Sequence, residues 1–146
     1  MRILALLTSL LVLNGCMGED KGSNEPSIAD YQGQWLVINY WAKWCKPCLN
    51  EIPELNEFDR MFDHVSVLGV NYDGATGEDL SQQISDFSIE FPVLSHDPAA
   101  QLGTRQPNVL PTTLILNPQG ELIATLLGPQ TVLSLTLATE QSVAAK

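Results

Sequence analysis

Apolar positions along this chain fall into short continuous blocks and stretches that repeat every three to four residues, and the two kinds alternate. Trp35-Leu36-Val37-Ile38-Asn39-Tyr40-Trp41 is a β-rich block of the sort that forms a strand buried on both faces. Beyond Cys48, the residues Leu49, Ile52, Leu55, Phe58 and Phe62 recur at helical spacing. Glu51, Glu54, Glu57 and Asp59 take other faces, which predicts a helix running to about Phe62. Pro53 falls inside it and should kink it, because proline removes a backbone donor and crowds the preceding turn.

Val65-Ser66-Val67-Leu68-Gly69-Val70-Asn71-Tyr72 predicts a second buried strand, and Glu78 to Phe87 a helix that turns Leu80, Ile84 and Phe87 inward. Phe91 to Leu94 reads as a short extended piece and Ala99 to Thr104 as a short helix. Thr112 to Leu116 and Leu122 to Leu126 flank Asn117-Pro118-Gln119-Gly120, where Pro and Gly hold favoured positions of a type I turn, so an antiparallel hairpin is expected. Gln130 to Ala145, carrying Val132, Leu133, Leu135 and Leu137, should close the sheet as a helix. The resulting order, β-α-β-α-β-β-α, is that of an α/β fold with a right-handed parallel crossover.

Length and charge narrow the picture. At 146 residues there is room for one domain of ordinary size, and no repeat or low-complexity tract interrupts it. Seventeen Asp and Glu against seven Lys and Arg leave a net charge of -10, with the cations scattered along the text. No basic cluster is available to neutralise phosphates, which argues against nucleic acid as a partner.

The N-terminus reads as an export signal: Arg2 supplies a positive start and Ile3 to Leu13 is apolar apart from Thr8 and Ser9. A membrane-crossing helix needs about 20 apolar residues, so this run is too short to span. Leu13-Asn14-Gly15-Cys16 resembles the lipobox of bacterial lipoproteins. That resemblance implies cleavage before Cys16 and lipidation of its sulfur, with Met17, which is not Asp, directing the product to the outer membrane of a Gram-negative host. An ordinary cleaved signal with an incidental cysteine is the alternative. The expected organisation is a lipoprotein signal peptide over residues 1–15, a lipidated tether rich in Gly, Ser, Asn and charge over 16–26, and one folded domain over 27–146.

Of three cysteines, the lipoprotein reading leaves Cys45 and Cys48, two residues apart, and no framework for structural disulfides or a four-sulfur zinc site. In an exported protein such a pair is set by redox partners rather than by cytosolic glutathione. A disulfide exchanger needs one thiolate to attack and a second thiol near enough to resolve the mixed disulfide. Cys45 lies where a buried strand gives way to a helix, so unpaired amides and the helix dipole should lower its pKa and make it the nucleophile. Cys48, one turn on and facing inward, is the resolving thiol. By itself Cys-x-x-Cys also serves zinc knuckles and copper carriers, and the flanking text decides between them.

Asn39-Tyr40-Trp41-Ala42-Lys43-Trp44-Cys45-Lys46-Pro47-Cys48, with Glu51, Pro53, Val109-Leu110-Pro111-Thr112-Thr113 and Gly120, resembles the TlpA/ResA-like branch of the thioredoxin superfamily from about Tyr31 onward. The resemblance implies a thioredoxin-like fold with a central mixed β-sheet flanked by helices, and a redox-active Cys45–Cys48 disulfide. It further implies export, and a preference for reducing protein disulfides, notably in apocytochrome c maturation, with an upstream membrane thiol donor. Pro111 takes the place of the cis-proline beside the cysteines, and Leu110 precedes it where β-branched residues or threonine are common. Asn39 stands where cytosolic thioredoxins keep a buried aspartate, and Glu51 is the residue expected to tune the acidity of the pair. Trp44, Lys46, Pro47 and Leu110 are placed around the substrate. Only Glu25 to Gln34 precedes the first central strand, so the sheet is expected to be one strand poorer than the branch.

No cofactor or metal is implied, since His64 and His96 lie far from the motif and share no metal-ligand spacing. Oxidase or isomerase activity would use the same parts, and a Cu(I) carrier would use the two soft sulfurs, although no Met or His stands beside them. A peroxidase of related fold usually keeps its reactive cysteine in a Pro/Thr-containing loop, whereas Cys45 follows Trp44.

Overall fold

The computed structural model describes residues 25–140, so the signal, lipobox and Cys16 lie outside the described residues, as do 141–146. A 3-10 turn, Ile28–Tyr31, leads into β1 (Trp35–Trp41), α1 (Lys46–Met61), β2 (Val65–Asn71), α2 (Gly77–Asp86), β3 (Val93–Leu94), β4 (Thr112–Leu116), β5 (Leu122–Leu127) and α3 (Val132–Ala138). The strands form one sheet in the order β3-β2-β1-β4-β5. β1 pairs in parallel with β2 and antiparallel with β4, while β2/β3 is parallel and β4/β5 antiparallel. β1 is therefore central, which is why six of its seven side chains are buried, from Leu36 to Trp41.

The alternation of β1 divides the core. Val37 and Trp41 face a cluster that also takes Ile52, Leu55 and Phe58 of α1, Leu80 and Ile84 of α2, and Leu135 of α3. Each fully buried side chain of this size contributes about 1.5–3 kcal/mol. All three helices lie on this face, α1 and α2 because successive parallel crossovers of one hand step in one direction along the sheet. Leu36, Ile38 and Tyr40 face the other way, against Ile28 and Tyr31 of the 3-10 turn and Leu102 and Leu110 of the segment between β3 and β4. Tyr40 fastens that segment: its hydroxyl donates to Asp97 Oδ1 at 2.6 Å, which also accepts from Ala99 N at 2.9 Å. Burial, together with this bond to a carboxylate, pushes the Tyr40 hydroxyl far above its ordinary pKa.

Two expected helices need correction. Ala99 to Thr104 is a pair of closing turns and not a helix, because Gly103 takes φ 68° and Thr104 N reaches back to Ala99 O, the pattern that ends a helix after one turn. α3 stops at Ala138, with Thr139 as its C-cap. Leu133 and Leu137 face solvent at 64% and 71% exposure while Leu135 is buried, since spacing of two residues cannot keep three leucines on one helical face. α2 does turn Leu80, Ile84 and Phe87 onto the core, and beside them it buries Gln83, which accepts from Asn71 Nδ2 at 3.0 Å.

The proline-bearing helix does form: α1 is continuous across Pro53, which costs the Leu49 carbonyl its usual donor. Gly69 in β2 lets Phe91, Val93 and Trp41 close over the strand; a Cβ there would lie 3.1, 3.1 and 3.2 Å from their side chains. Gly69→Ala is accordingly expected to lower stability by about 1–3 kcal/mol, measurable by urea denaturation.

Candidate active site

At the end of β1 the chain makes a tight turn, with Cys45 N donating to Ala42 O at 3.0 Å, and Lys43 and Trp44 exposed at its tip. Cys45 is the N-cap of α1, and its sulfur accepts from Cys48 N at 3.3 Å. Pro47 suits this first turn, where its missing N–H goes unused. Sequence proximity and helix geometry thus bring the two sulfurs together, and they are bonded as a disulfide with Cα atoms 5.3 Å apart. Cys45 retains 4% exposure and Cys48 none, so whatever access exists is to Cys45. Lys46 and Pro47 are exposed beside them.

The peptide bond between Leu110 and Pro111 is cis. It immediately precedes β4, whose Thr112 pairs with Tyr40 near the end of β1, so the antiparallel register carries Pro111 to the same end of the sheet as Cys45. Leu110 packs against the cluster that contains both cysteines. The Pro111 carbonyl accepts from Gly128 N at 2.9 Å.

Glu51 lies three residues beyond Cys48 on α1, neighbouring positions on a helix surface, and is only 2% exposed. Its carboxylate accepts from Asn39 Nδ2 at 2.8 Å and from Gln130 N at 2.7 Å. Burial raises its pKa to about 7, against the pull of the Gln130 and Asn39 hydrogen bonds, which favour the charged form. Asn39 also donates to Thr113 Oγ1 at 3.1 Å, leaving its Oδ1 buried without a donor. Gln130 in turn holds the loop beside the proline, its Nε2 donating to Gly128 O at 2.8 Å. A neighbouring carboxylate, Glu54, accepts from Val132 N at 2.9 Å, so α1 supplies two acids to the start of α3.

Trp44 is 62% exposed yet fixed: its Nε1 donates to both oxygens of Asp73 at 3.1 and 3.0 Å, and its ring meets Tyr72 edge-on at 6.3 Å. Trp41, one strand position before the turn, is instead fully buried against Phe87. Tyr72, Asp73 and Gln130 were not expected at the site. For the first two a signal existed, because they follow the carboxyl end of the parallel strand beside β1, where functional groups gather. A Trp44→Ala variant is expected to lose about tenfold in kcat/KM on a protein disulfide with less than about 0.5 kcal/mol change in stability, since the ring is mostly in water. Steady-state kinetics alongside chemical denaturation check both halves.

A mixed sheet carrying a Cys-x-x-Cys disulfide at the head of the helix after its central strand, with a cis-proline at the same edge, defines a thioredoxin-like protein. The chain belongs to the AhpC/TSA family, whose sequence model matches residues 13–125. Among curated proteins, thiol-disulfide oxidoreductase ResA of Geobacillus kaustophilus (strain HTA426) is 29% identical over 114 residues, covering 77% of this chain. The match spans 65% of that relative, just under two thirds of its length. The crystal structure of a DsbF homologue from Corynebacterium diphtheriae superposes with a TM-score of 0.67 at 32% identity, covering 80% of this chain and 77% of that one. A secreted thiol-disulfide isomerase from Corynebacterium glutamicum gives 0.65 at 27% identity, covering 77% and 72%. The architecture is thus of the thiol-disulfide oxidoreductase type, with its cysteine pair formed. Among the described residues no helix is long and apolar enough to cross a membrane.

Proposed function

We propose that the protein is an exported disulfide reductase that acts on protein substrates such as apocytochrome c and is tethered to the membrane through lipid on Cys16. The observation that carries the redox reading is the bonded Cys45–Cys48 pair at the head of α1, beside cis-Pro111 and one helical turn from buried Glu51. In the reduced form, Cys45 thiolate attacks a substrate disulfide, forming a Cys45–substrate mixed disulfide and expelling one substrate thiolate. Cys48 gives up its proton and attacks the Cys45 sulfur, which releases the second substrate thiolate and closes Cys45–Cys48. Two electrons pass to the substrate, whose thiolates take up protons, and an upstream membrane dithiol returns two electrons to the pair. Glu51, poised near neutrality, sets the acidity of the buried thiol, and Trp44, Lys46, Pro47 and Leu110 border the bound chain.

Reduction of insulin disulfides by the dithiol-treated protein tests the catalytic reading, and the account expects turnover that disappears when either cysteine is replaced. No turnover by the intact dithiol would retire it. Isomerisation is the second reading, favoured by the structural similarity to the Corynebacterium glutamicum isomerase. Refolding of scrambled ribonuclease without net reduction would support isomerisation over reduction. The anchor is tested separately: intact mass of the membrane-extracted protein is expected to start at a lipid-modified Cys16, and an unmodified thiol there would contradict it.

A further inference from the structure

Each oxygen of the Glu51 carboxylate begins a short chain of hydrogen bonds, and both chains end within residues 109–113, the segment that carries Leu110 beside the bound substrate. Oε1 accepts from Asn39 Nδ2 at 2.8 Å, and the same amide donates to Thr113 Oγ1 at 3.1 Å. Oε2 accepts from Gln130 N at 2.7 Å; two residues back, Gly128 N donates to the Pro111 carbonyl at 2.9 Å. The segment is closed on itself, because Thr112 Oγ1 donates to the Val109 carbonyl at 2.7 Å, so it answers to both moorings as one piece. Asn39 and Thr113 are set by the pairing of β1 with β4, where they stand opposite each other. The second mooring is a loop, and one side chain shapes it. Gln130 is only 8% exposed; its Nε2 donates to Gly128 O at 2.8 Å and its Oε1 accepts from Ser134 Oγ at 2.9 Å. The first of these bonds closes Gln130 onto Gly128 and so sets the angle between the N–H that holds Pro111 and the N–H that holds Glu51.

We infer that Gln130 is a positioning residue that ties Glu51 to the substrate-bordering segment, so that a chain docked on that segment is sensed by the carboxylate behind Cys48. The inference rests on the exchange reading above and adds a residue to the same site. Docking orders residues 109–113, and through Gly128 and Gln130 it holds the Gln130 N–H on Glu51 Oε2. A hydrogen bond to the charged form favours that form, so a docked substrate lowers the pH at which Glu51 gives up its proton. By linkage, the charged carboxylate binds substrate more tightly in return. Glu51 titrates at about 7 in the free protein, so a modest displacement changes its charge near neutrality. The elements packed against Glu51 bring little competing charge. Neither β4 nor α3 contains a charged residue, and the ionisable residue of β1, Tyr40, faces the opposite side of the sheet. On α1 the titratable groups within four positions are Cys48, bonded in the oxidised form, and Glu54, which accepts from Val132 N at 2.9 Å.

The test uses the oxidised full chain, in which the cysteines do not titrate, and a short uncharged peptide with one internal disulfide. The isotope-labelled Glu51 carboxyl carbon, assigned by its loss in Glu51→Gln, is titrated by NMR with and without the peptide. Its midpoint is expected to fall by about 0.5 pH unit in the complex, and peptide affinity to be about threefold higher well above the midpoint than well below it. In Gln130→Ala the peptide should move the midpoint by less than about 0.2 unit. Thr136→Val removes a buried bond of the same helix, from Thr136 Oγ1 to the Val132 carbonyl at 2.7 Å, without touching the loop, and should keep the full displacement. A parent midpoint that peptide at millimolar concentration leaves unmoved, or moves upward, overturns the inference whether or not the variants fold. Equal displacement in Gln130→Ala, or its loss in Thr136→Val as well, overturns the role of Gln130. Exchange of the reduced chain with hydroxyethyl disulfide reads the chemistry separately, and its failure while the displacement holds would count against the exchange reading alone.

Discussion

A Cys48→Ser variant is expected to stop halfway, with Cys45 joined covalently to substrate, whereas Cys45→Ser should lose exchange by at least about a thousandfold. The asymmetry follows from position. Cys45 caps α1, with Cys48 N–H directed at its sulfur, and sixteen helical residues align their dipoles behind it. It also keeps the pair's only access, 4% against none for Cys48. Serine at 45 offers a hydroxyl that stays protonated at neutral pH, so no attack begins. Serine at 48 leaves the attack intact and removes the resolving sulfur. Non-reducing electrophoresis and intact mass after incubation with a disulfide peptide check this. A stable adduct on Cys48 of the Cys45→Ser variant would reverse the assignment.

The second large effect concerns Glu51. Its carboxyl titrates at about 7 in the folded protein against an ordinary 4.5, so the folded state binds the extra proton between these values. Stability from this group is therefore fully present below about pH 4.5 and is lost as pH rises through 7, by about 3 kcal/mol in total. Glu51→Gln removes that slope. It also sets an amide against the Gln130 N–H or Asn39 Nδ2 donors, a pH-independent cost of about 1–3 kcal/mol. The expected signature is thus a difference: between pH 4.5 and 8 the variant's stability relative to the parent rises by about 3 kcal/mol. Urea titrations across that range measure it, and parallel curves for the two proteins would contradict a buried, near-neutral carboxyl. The same replacement should shift the pH profile of disulfide exchange; an unchanged profile would remove Glu51 from the chemistry.

Much of this was legible in the residues. The apolar blocks at Trp35–Trp41 and Val65–Asn71 are strands because both of their faces are covered, which a continuous run of β-branched and aromatic residues signals directly. The cysteine pair, the following helix and the hairpin turned at Asn117–Gly120 are carried by local chemistry, whereas the place of Pro111 came from the resemblance to the TlpA/ResA-like branch. Where reading failed, the deciding forces were not local. Alternating leucines at 133, 135 and 137 leave a short helix with two of them in water, and one glycine at positive φ ends the turn after Ala99. The setting of Glu51 was hidden for the same reason, since its two donors come from 12 and 79 residues away. By spacing alone it looks like any helix carboxylate, and only the family resemblance singles it out. The contact between Trp44 and Asp73 spans 29 residues, so no local pattern signals it.

The account's central claim is that Cys45 and Cys48 form a reversible two-electron couple poised for reduction. Net transfer of electrons to a substrate disulfide requires the Cys45–Cys48 couple to have the more negative potential of the two. The direct measurement is the equilibrium potential of the pair against defined glutathione or dithiol buffers, read from alkylation of the two thiols. The account predicts a two-electron transition more negative than about -200 mV, on the reducing side of known isomerases. A value near about -120 mV, or two thiols that titrate independently without forming a disulfide, would contradict it.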